Sequence, residues 1–177
     1  LRLFQRVKQI GERQKTVGNG QNRPRRRETS FIGTCGLPTQ NGLVARTVYA
    51  HDCQRNAKAF IHKKIQLKLS EIDDVVYSDE KWVEFIVNQV IINSINYCYK
   101  ENSFISIYTT NHEHNLILHI VDNGIGIDEK DVGRVFEKGF TGENGRIYRK
   151  STGIGLYLCK MLVDKLHLGI TIKSQKD

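Results

Sequence analysis

The chain has 177 residues, 39% hydrophobic and 26% charged, with a formal net charge of +8. That length suits one domain with an appendage. No apolar run approaches the roughly 20 residues that span a bilayer, and the basic N-terminus lacks the apolar core of a secretory signal; a soluble chain is expected. Cys35, Cys53, Cys98 and Cys159 are widely spaced without a Cys-x-x-Cys pair, which argues against a zinc site or disulfide framework and for a reducing cytoplasm.

The charge is unevenly distributed. Residues 1–50 hold ten Lys/Arg against two acidic residues, whereas residues 51–177 hold seventeen of each. An excess confined to one end attracts polyanions without specificity. No specific nucleic-acid partner is expected.

Residues 1–56 read as a basic, irregular segment. Leu3, Phe4, Val7 and Ile10 have the spacing of a short helix over Leu1–Ile10. Beyond it, glycines, Pro24, Pro38 and the run Arg25-Arg26-Arg27 interrupt every period. Two readings stand side by side: a disordered basic tail, or a fused or out-of-frame piece ahead of a domain at 57–177. Neither assigns this segment a function.

From residue 57 the patterns become regular. Asn56–Lys64 reads as a helix end or an approach to a strand, Ile65–Leu69 as a half-buried strand by alternation, and Val75–Tyr77 as a short strand. Ser78-Asp79-Glu80 supplies a cap and an acidic first turn for a helix reaching Tyr99. Val83, Ile86, Val87, Val90 and Ile91 form its apolar stripe. Gln89, Asn93 and Tyr97 share another face, because steps of four align on a helix.

Ser103–Thr109 and Leu116–Val121 read as antiparallel strands joined by a polar turn. A helical turn at Asp128–Val132 follows, and then an aperiodic stretch, 138–152, expected to be a mobile lid. A helix over Ile154–Leu166 and a strand over Leu168–Lys173 complete the pattern. Strands and helices segregate into a mixed sheet covered on one face by helices, a two-layer α+β sandwich.

Four motifs stand in order: NQVIINSINY, VDNGIGI, VFEKGF and STGIGLYLCK. Glycine permits positive φ and close backbone approach, and a helix opening on Gly153 and Gly155 points free N–H groups at an anion. Together, over about residues 57–175, the motifs resemble the catalytic ATP-binding domain of bacterial sensor histidine kinases, in the superfamily shared with gyrase, Hsp90 and MutL. The wording FEKGFTGENGR…KSTGIGLYLCK is similar to kinases that sense bacitracin and other antimicrobial peptides beside an ABC transporter. The resemblance implies the ATP-binding sandwich of that superfamily, here without its last strand and with an unpaired sheet edge.

By the same resemblance the cofactors are ATP and Mg2+. Asn93 is then the metal ligand, its amide oxygen a hard donor; the plainer reading is a helix-interior Asn bonded to a loop. Gln89 stands where ATP-hydrolysing relatives carry a glutamate, and glutamine cannot act as a general base. Asn96 replaces the usual phosphate-binding lysine. Tyr97 packs on adenine or in the core. Asp122 accepts from the adenine amine or merely forms a turn, and Gly124 and Gly126 let the base approach. Thr152, Gly153, Gly155 and Leu156 complete the nucleotide site, with the glycine amides cradling phosphates. Lys138, Arg149 and Lys150 neutralise the triphosphate or are solvated charges. Phe136 and Phe140 anchor the lid.

The family's phosphoacceptor is a histidine followed by an acidic residue and, a few positions on, a proline. His51-Asp52 begins that way but lacks the proline and helical surroundings, so no acceptor is expected, and His112, His114, His119 and His167 read as surface or core residues. The resemblance implies a fragment of a membrane sensor kinase, acting at the cytoplasmic face with a dimerisation and phosphotransfer domain and a response regulator. Two rivals remain: a gyrase- or MutL-type ATPase, and an inactive remnant that binds nucleotide or serves as an interaction module.

Overall fold

The computed structural model describes residues 27–34, 42–70, 75–112, 115–142 and 152–174. Its elements are β1 (Arg27–Thr34), β2 (Gly42–Val44), α1 (Ala45–Arg55), α2 (Ala57–His62), β3 (Gln66–Leu69), β4 (Val75–Tyr77), α3 (Glu80–Tyr97), β5 (Phe104–His112), β6 (Asn115–Asp122), α4 (Glu129–Val132), α5 (Gly155–Lys165) and β7 (Gly169–Ser174). Five strands form a sheet in the order β3-β5-β6-β1-β7, and β2 pairs with β4 separately. Only β3–β5 is parallel within the five-stranded sheet. The expected α+β sandwich is present.

The period of two along β6 sets the layers. Leu116, Leu118, Ile120 and Asp122 point to one face. Leu116 and Ile120 join Ile105 and Ile107 of β5 in the core, against Ile86, Val87, Val90, Ile91 and Ile95 of α3 and Cys159 and Val163 of α5. Truncating one of these buried side chains to alanine costs about 2–5 kcal/mol in comparable cores. On the opposite face His119 is held by Glu28 (Nδ1 to Oε1, 2.7 Å) and Thr110 (Nε2 to Oγ1, 2.7 Å) and stacks on Tyr108. Hydrogen bonding to His119 keeps the Glu28 carboxyl below its usual range despite burial.

α3 begins where the sequence indicates. Asp79 accepts from the Trp82 amide at 3.1 Å, a cap worth about 1 kcal/mol. The helix stops at Tyr97 rather than Tyr99, as Cys98 turns extended. Cys53, Cys98 and Cys159 are free and buried, and burial pushes each thiol up to about 12. No helix among the described residues is long and apolar enough to cross a membrane.

Two expectations change here. The division at residue 56 does not separate tail from domain, because β1 lies inside the sheet, in register with β6 from Arg27↔Asp122 to Thr34↔Asn115 and with β7 from Arg27↔Ser174 to Ile32↔Gly169. β7 is therefore bonded to the sheet through β1 and forms its edge. The local pattern could not announce this, since β1 is stabilised by ladder bonds to strands more than eighty residues away. The Leu1–Ile10 helix lies outside the described residues, as do Arg25 and Arg26. Second, His51 is on a helix, α1, with its Nδ1 engaged by Glu84 at 2.7 Å.

Its neighbour Asp52 is fully buried, with neither carboxylate oxygen hydrogen-bonded; Arg55 stands 3.6 Å away. Burial, reinforced by the negative Glu84, pushes its carboxyl up to about 7. The folded state thus binds this proton more tightly than the unfolded chain, so the contribution is fully present at about pH 4 and is lost as pH rises through about 7. Asp52→Asn is expected to stabilise the protein by about 2 kcal/mol at pH 8 and to change little at about pH 4. Thermal melting across that range is the check; no gain at pH 8 would show that Arg55 already compensates the charge.

Candidate functional site

A cavity of about 240 Å³ opens where α3, the loop after β6 and the start of α5 meet. From α3 it receives Gln89, Asn93, Asn96 and Tyr97, all half-buried. Steps of three and four place them on one side of the helix while Val90, Ile91, Ser94 and Ile95 go into the core. The loop after β6 contributes Gly126, which has φ +73°, with Ile127 and Asp128. The second glycine turn contributes Thr152, Gly153, Gly155 and Leu156. Motifs more than sixty residues apart in the chain share one wall.

Two glycines explain why the turn fits. Gly153 has φ +67°, and a Cβ there would lie 2.4 Å from the Gly139 carbonyl carbon and 2.6 Å from the Phe140 oxygen. Its own carbonyl accepts from the Gly139 amide at 3.1 Å. A Cβ on Gly155 would come within 2.7 Å of the Gln89 Oε1, so the first turn of α5 rests against that amide. These contacts join the Gly139–Phe140 segment, α5 and α3, in addition to the anion-facing role that the sequence suggests for the turn.

Other expected residues are placed differently. Asp122 is 1% exposed and does not line the cavity. Its Oδ2 accepts from Arg27 Nε at 2.9 Å and Nη2 at 2.7 Å, and its Oδ1 accepts from the Gly124 amide at 3.0 Å. Arg27, 6% exposed, lines the cavity in its stead, 5.5 Å from the centre of the Tyr97 ring. Gly124 is buried against the end of α3, with Ile125 bonded to the Tyr97 carbonyl at 3.1 Å, so it fastens the loop rather than facing a ligand. Lys138 is exposed and outside the wall; Arg149 and Lys150 lie outside the described residues. Among the described lining residues Arg27 is the one cation, and Asp128 and Asp131 are the carboxylates. Phe140 lines the cavity, beyond the anchoring role expected of it, with Arg134 4.5 Å from its ring centre.

Arg27, Asp128 and Asp131 are additions that motif reading misses. Arg27 carries no local signal, since Arg-Glu-Thr-Ser-Phe-Ile sets four polar residues before two apolar ones directly after a basic run. Asp128 is expected from the sequence only to open a helical turn; in the structure it caps α4, accepting from the Lys130 amide at 3.2 Å.

A sheet with one helical layer, and a cavity walled by an amide-bearing helix and two glycine turns, defines a nucleotide-binding α+β domain. Residues 78–177 match the family described as histidine kinase-, DNA gyrase B-, and HSP90-like ATPase, and the chain belongs to that family. It is 36% identical over 122 residues to a sensor histidine kinase, YxdK, of Bacillus subtilis, a stretch covering 68% of this chain and 38% of the relative. It is 41% identical over 104 residues to the sensor protein kinase GraS of Staphylococcus aureus, covering 59% of this chain and 30% of the relative. The chain thus spans about two-fifths or less of these curated relatives. Among solved structures it resembles a mycobacterial sensor histidine kinase, MprB, with TM-score 0.62, 20% identity and coverage of 71% of this chain and 80% of the other. The nucleotide-free catalytic domain of the histidine kinase ThkA gives TM-score 0.62 at 16% identity, covering 77% and 98%. At such identities these structures establish the fold.

Gly153→Ala should lower stability by about 2 kcal/mol, since it combines a left-handed backbone with a clash against main-chain atoms. Gly133, with φ −67° and nothing within 4 Å of an added Cβ, is the control and should be near neutral. Urea denaturation of both variants decides, and equal stability of the two would discount the turn's packing role.

Proposed function

We propose that this chain carries the ATP- and magnesium-binding catalytic domain of a two-component sensor histidine kinase. The observation that carries the reading is the convergence of the Asn93 face of α3 and both glycine turns on one cavity. In this reading the Asn93 amide oxygen ligates magnesium, a fit with a cation that takes oxygen donors and keeps waters. The ion would supply charge neutralisation for the triphosphate. Gly153, Gly155 and neighbouring backbone amides hold phosphates at the positive end of α5, Tyr97 packs on the base, and Asp122, buried behind the wall, keeps one acceptor position on Oδ1 beside the Gly124 amide for the exocyclic amine. Asn96, Thr152 and Leu156 complete the contact, and Lys138, Arg149 and Lys150 neutralise the phosphates.

Gln89 favours transfer over hydrolysis. An amide positions a water or a hydroxyl but takes no proton, so the γ-phosphoryl is retained for a histidine. Catalysis is then mostly positioning and charge stabilisation. In the whole protein we place the domain at the cytoplasmic face of a membrane, receiving a phosphotransfer histidine from a dimerisation domain and serving a response regulator. The likeness to antimicrobial-peptide-sensing kinases adds an ABC transporter as a partner.

Calorimetry with Mg-ATP tests the site. Binding is expected for the intact chain and should weaken by about tenfold or more in Asn93→Ala, the scale lost when metal-site residues are removed. Phosphate release should be near background and should rise in Gln89→Glu. Rapid turnover by the intact chain would instead place it with the hydrolysing branch of the family.

A further inference from the structure

The Asp52 carboxylate is wholly inaccessible, with neither oxygen hydrogen-bonded. A buried charge is ordinarily paired or coordinates a metal. Beside it stand His51, its neighbour on α1, and Glu84 on the facing part of α3. One donor atom from each of the three lies within 4.8 Å of the other two, and His51 Nδ1 is 2.7 Å from Glu84 Oε1. Nitrogen and oxygen donors about 2.0–2.2 Å from a tetrahedral zinc ion stand about 3.3 Å apart. The distances in the cluster bracket that spacing.

The two helices are held together close by. One turn on from Asp52 and Glu84, Asn56 Nδ2 donates to Asn88 Oδ1 at 2.9 Å and to the Asp52 carbonyl at 2.8 Å. The side chain of His51 is 57% exposed and that of Glu84 23%, so an ion can enter from solvent while Asp52 forms the floor. The resident cation is Arg55, whose Nη2 holds Glu84 at 2.6 Å and whose Nη1 lies 3.6 Å from Asp52. Its half-exposed side chain can turn into water, and a dication sets two positive charges where the guanidinium sets one. None of the three ligand candidates lines the cavity, so the cluster stands apart from the nucleotide reading.

We propose that His51, Asp52 and Glu84 bind a divalent transition-metal ion of the zinc type, which clips α1 to α3. The donors are one imidazole and two carboxylates, and no cysteine takes part. An imidazole favours zinc over magnesium or calcium, which prefer oxygen alone. Three protein donors leave a fourth position for water. A proton held between His51 Nδ1 and Glu84 is released as the ion enters.

Calorimetry and thermal melting of the chelator-treated intact chain, titrated with zinc chloride at neutral pH, test the site. A single equivalent of zinc should bind and raise the melting temperature; magnesium or calcium chloride at the same concentration should raise it less. Affinity should fall at least about tenfold in His51→Ala and in Glu84→Gln, the scale lost when residues of a metal site are removed. Arg55→Gln removes the competing cation and should bind zinc more tightly, which a merely structural role for the cluster would not produce. His62→Ala, exposed on α2, is the control and should match the intact chain. The proposal is overturned by absence of zinc binding, by unchanged affinity in His51→Ala, by weaker binding in Arg55→Gln, or by a larger shift with magnesium or calcium. Asp52→Asn tests the buried ligand in the same way; should it fail to fold, His51→Ala and Glu84→Gln, which alter accessible groups, decide.

Discussion

The buried pair of Arg27 and Asp122 is the interaction on which the arrangement depends. It joins β1 to β6 at the end of the sheet nearest the cavity, and through Ser94 and Tyr97 it reaches α3. Removing one partner of such a pair costs about 3–5 kcal/mol, because the other charge is left buried and uncompensated. Both partners are nearly inaccessible, and the carboxylate is completed by a backbone amide from the glycine loop. One ion pair thus ties the end of the β1–β6 ladder, the glycine loop and the cavity wall together.

α3 supplies the second constraint, since it must serve two surfaces at once. One stripe is aliphatic and lies on β5 and β6; the adjoining one carries Gln89, Asn93, Asn96 and Tyr97 into the cavity. Amides in that position avoid the desolvation cost of charged groups in a partly buried wall while keeping oxygen atoms for a cation. The cost of exposure falls on the same helix, because half its circumference cannot contribute to the core. α5 compensates by packing Cys159 and Val163 against α3 and bringing Gly155 up to Gln89.

The electrostatics of the wall are unusual for a triphosphate site. Two carboxylates and one engaged guanidinium line the described part, so in the proposed reading attraction for phosphate rests on backbone amides and the α5 dipole. Neutral donors at a helix start act at short range and survive salt better than surface charge. This separates the domain's anion affinity from the chain's net charge, whose excess lies in the first fifty residues.

The amino-acid sequence alone determined the elements that rest on local rules. The cap at Asp79, the two-sided periodicity of α3, the hairpin of β5 and β6, and the glycine turns before α5 are all short-range patterns, and each is where it was expected. So is the gathering of Asn93, Gly126, Gly153 and Gly155, which followed from four ordered motifs. The tertiary structure alone decided the place of β1, the engagement of Asp122, the withdrawal of Gly124 from the cavity and the entry of Phe140. These depend on contacts between residues such as Arg27 and Asp122, ninety-five positions apart. A strand's partners are chosen by ladder register and burial across the fold, and no period within eight residues encodes them.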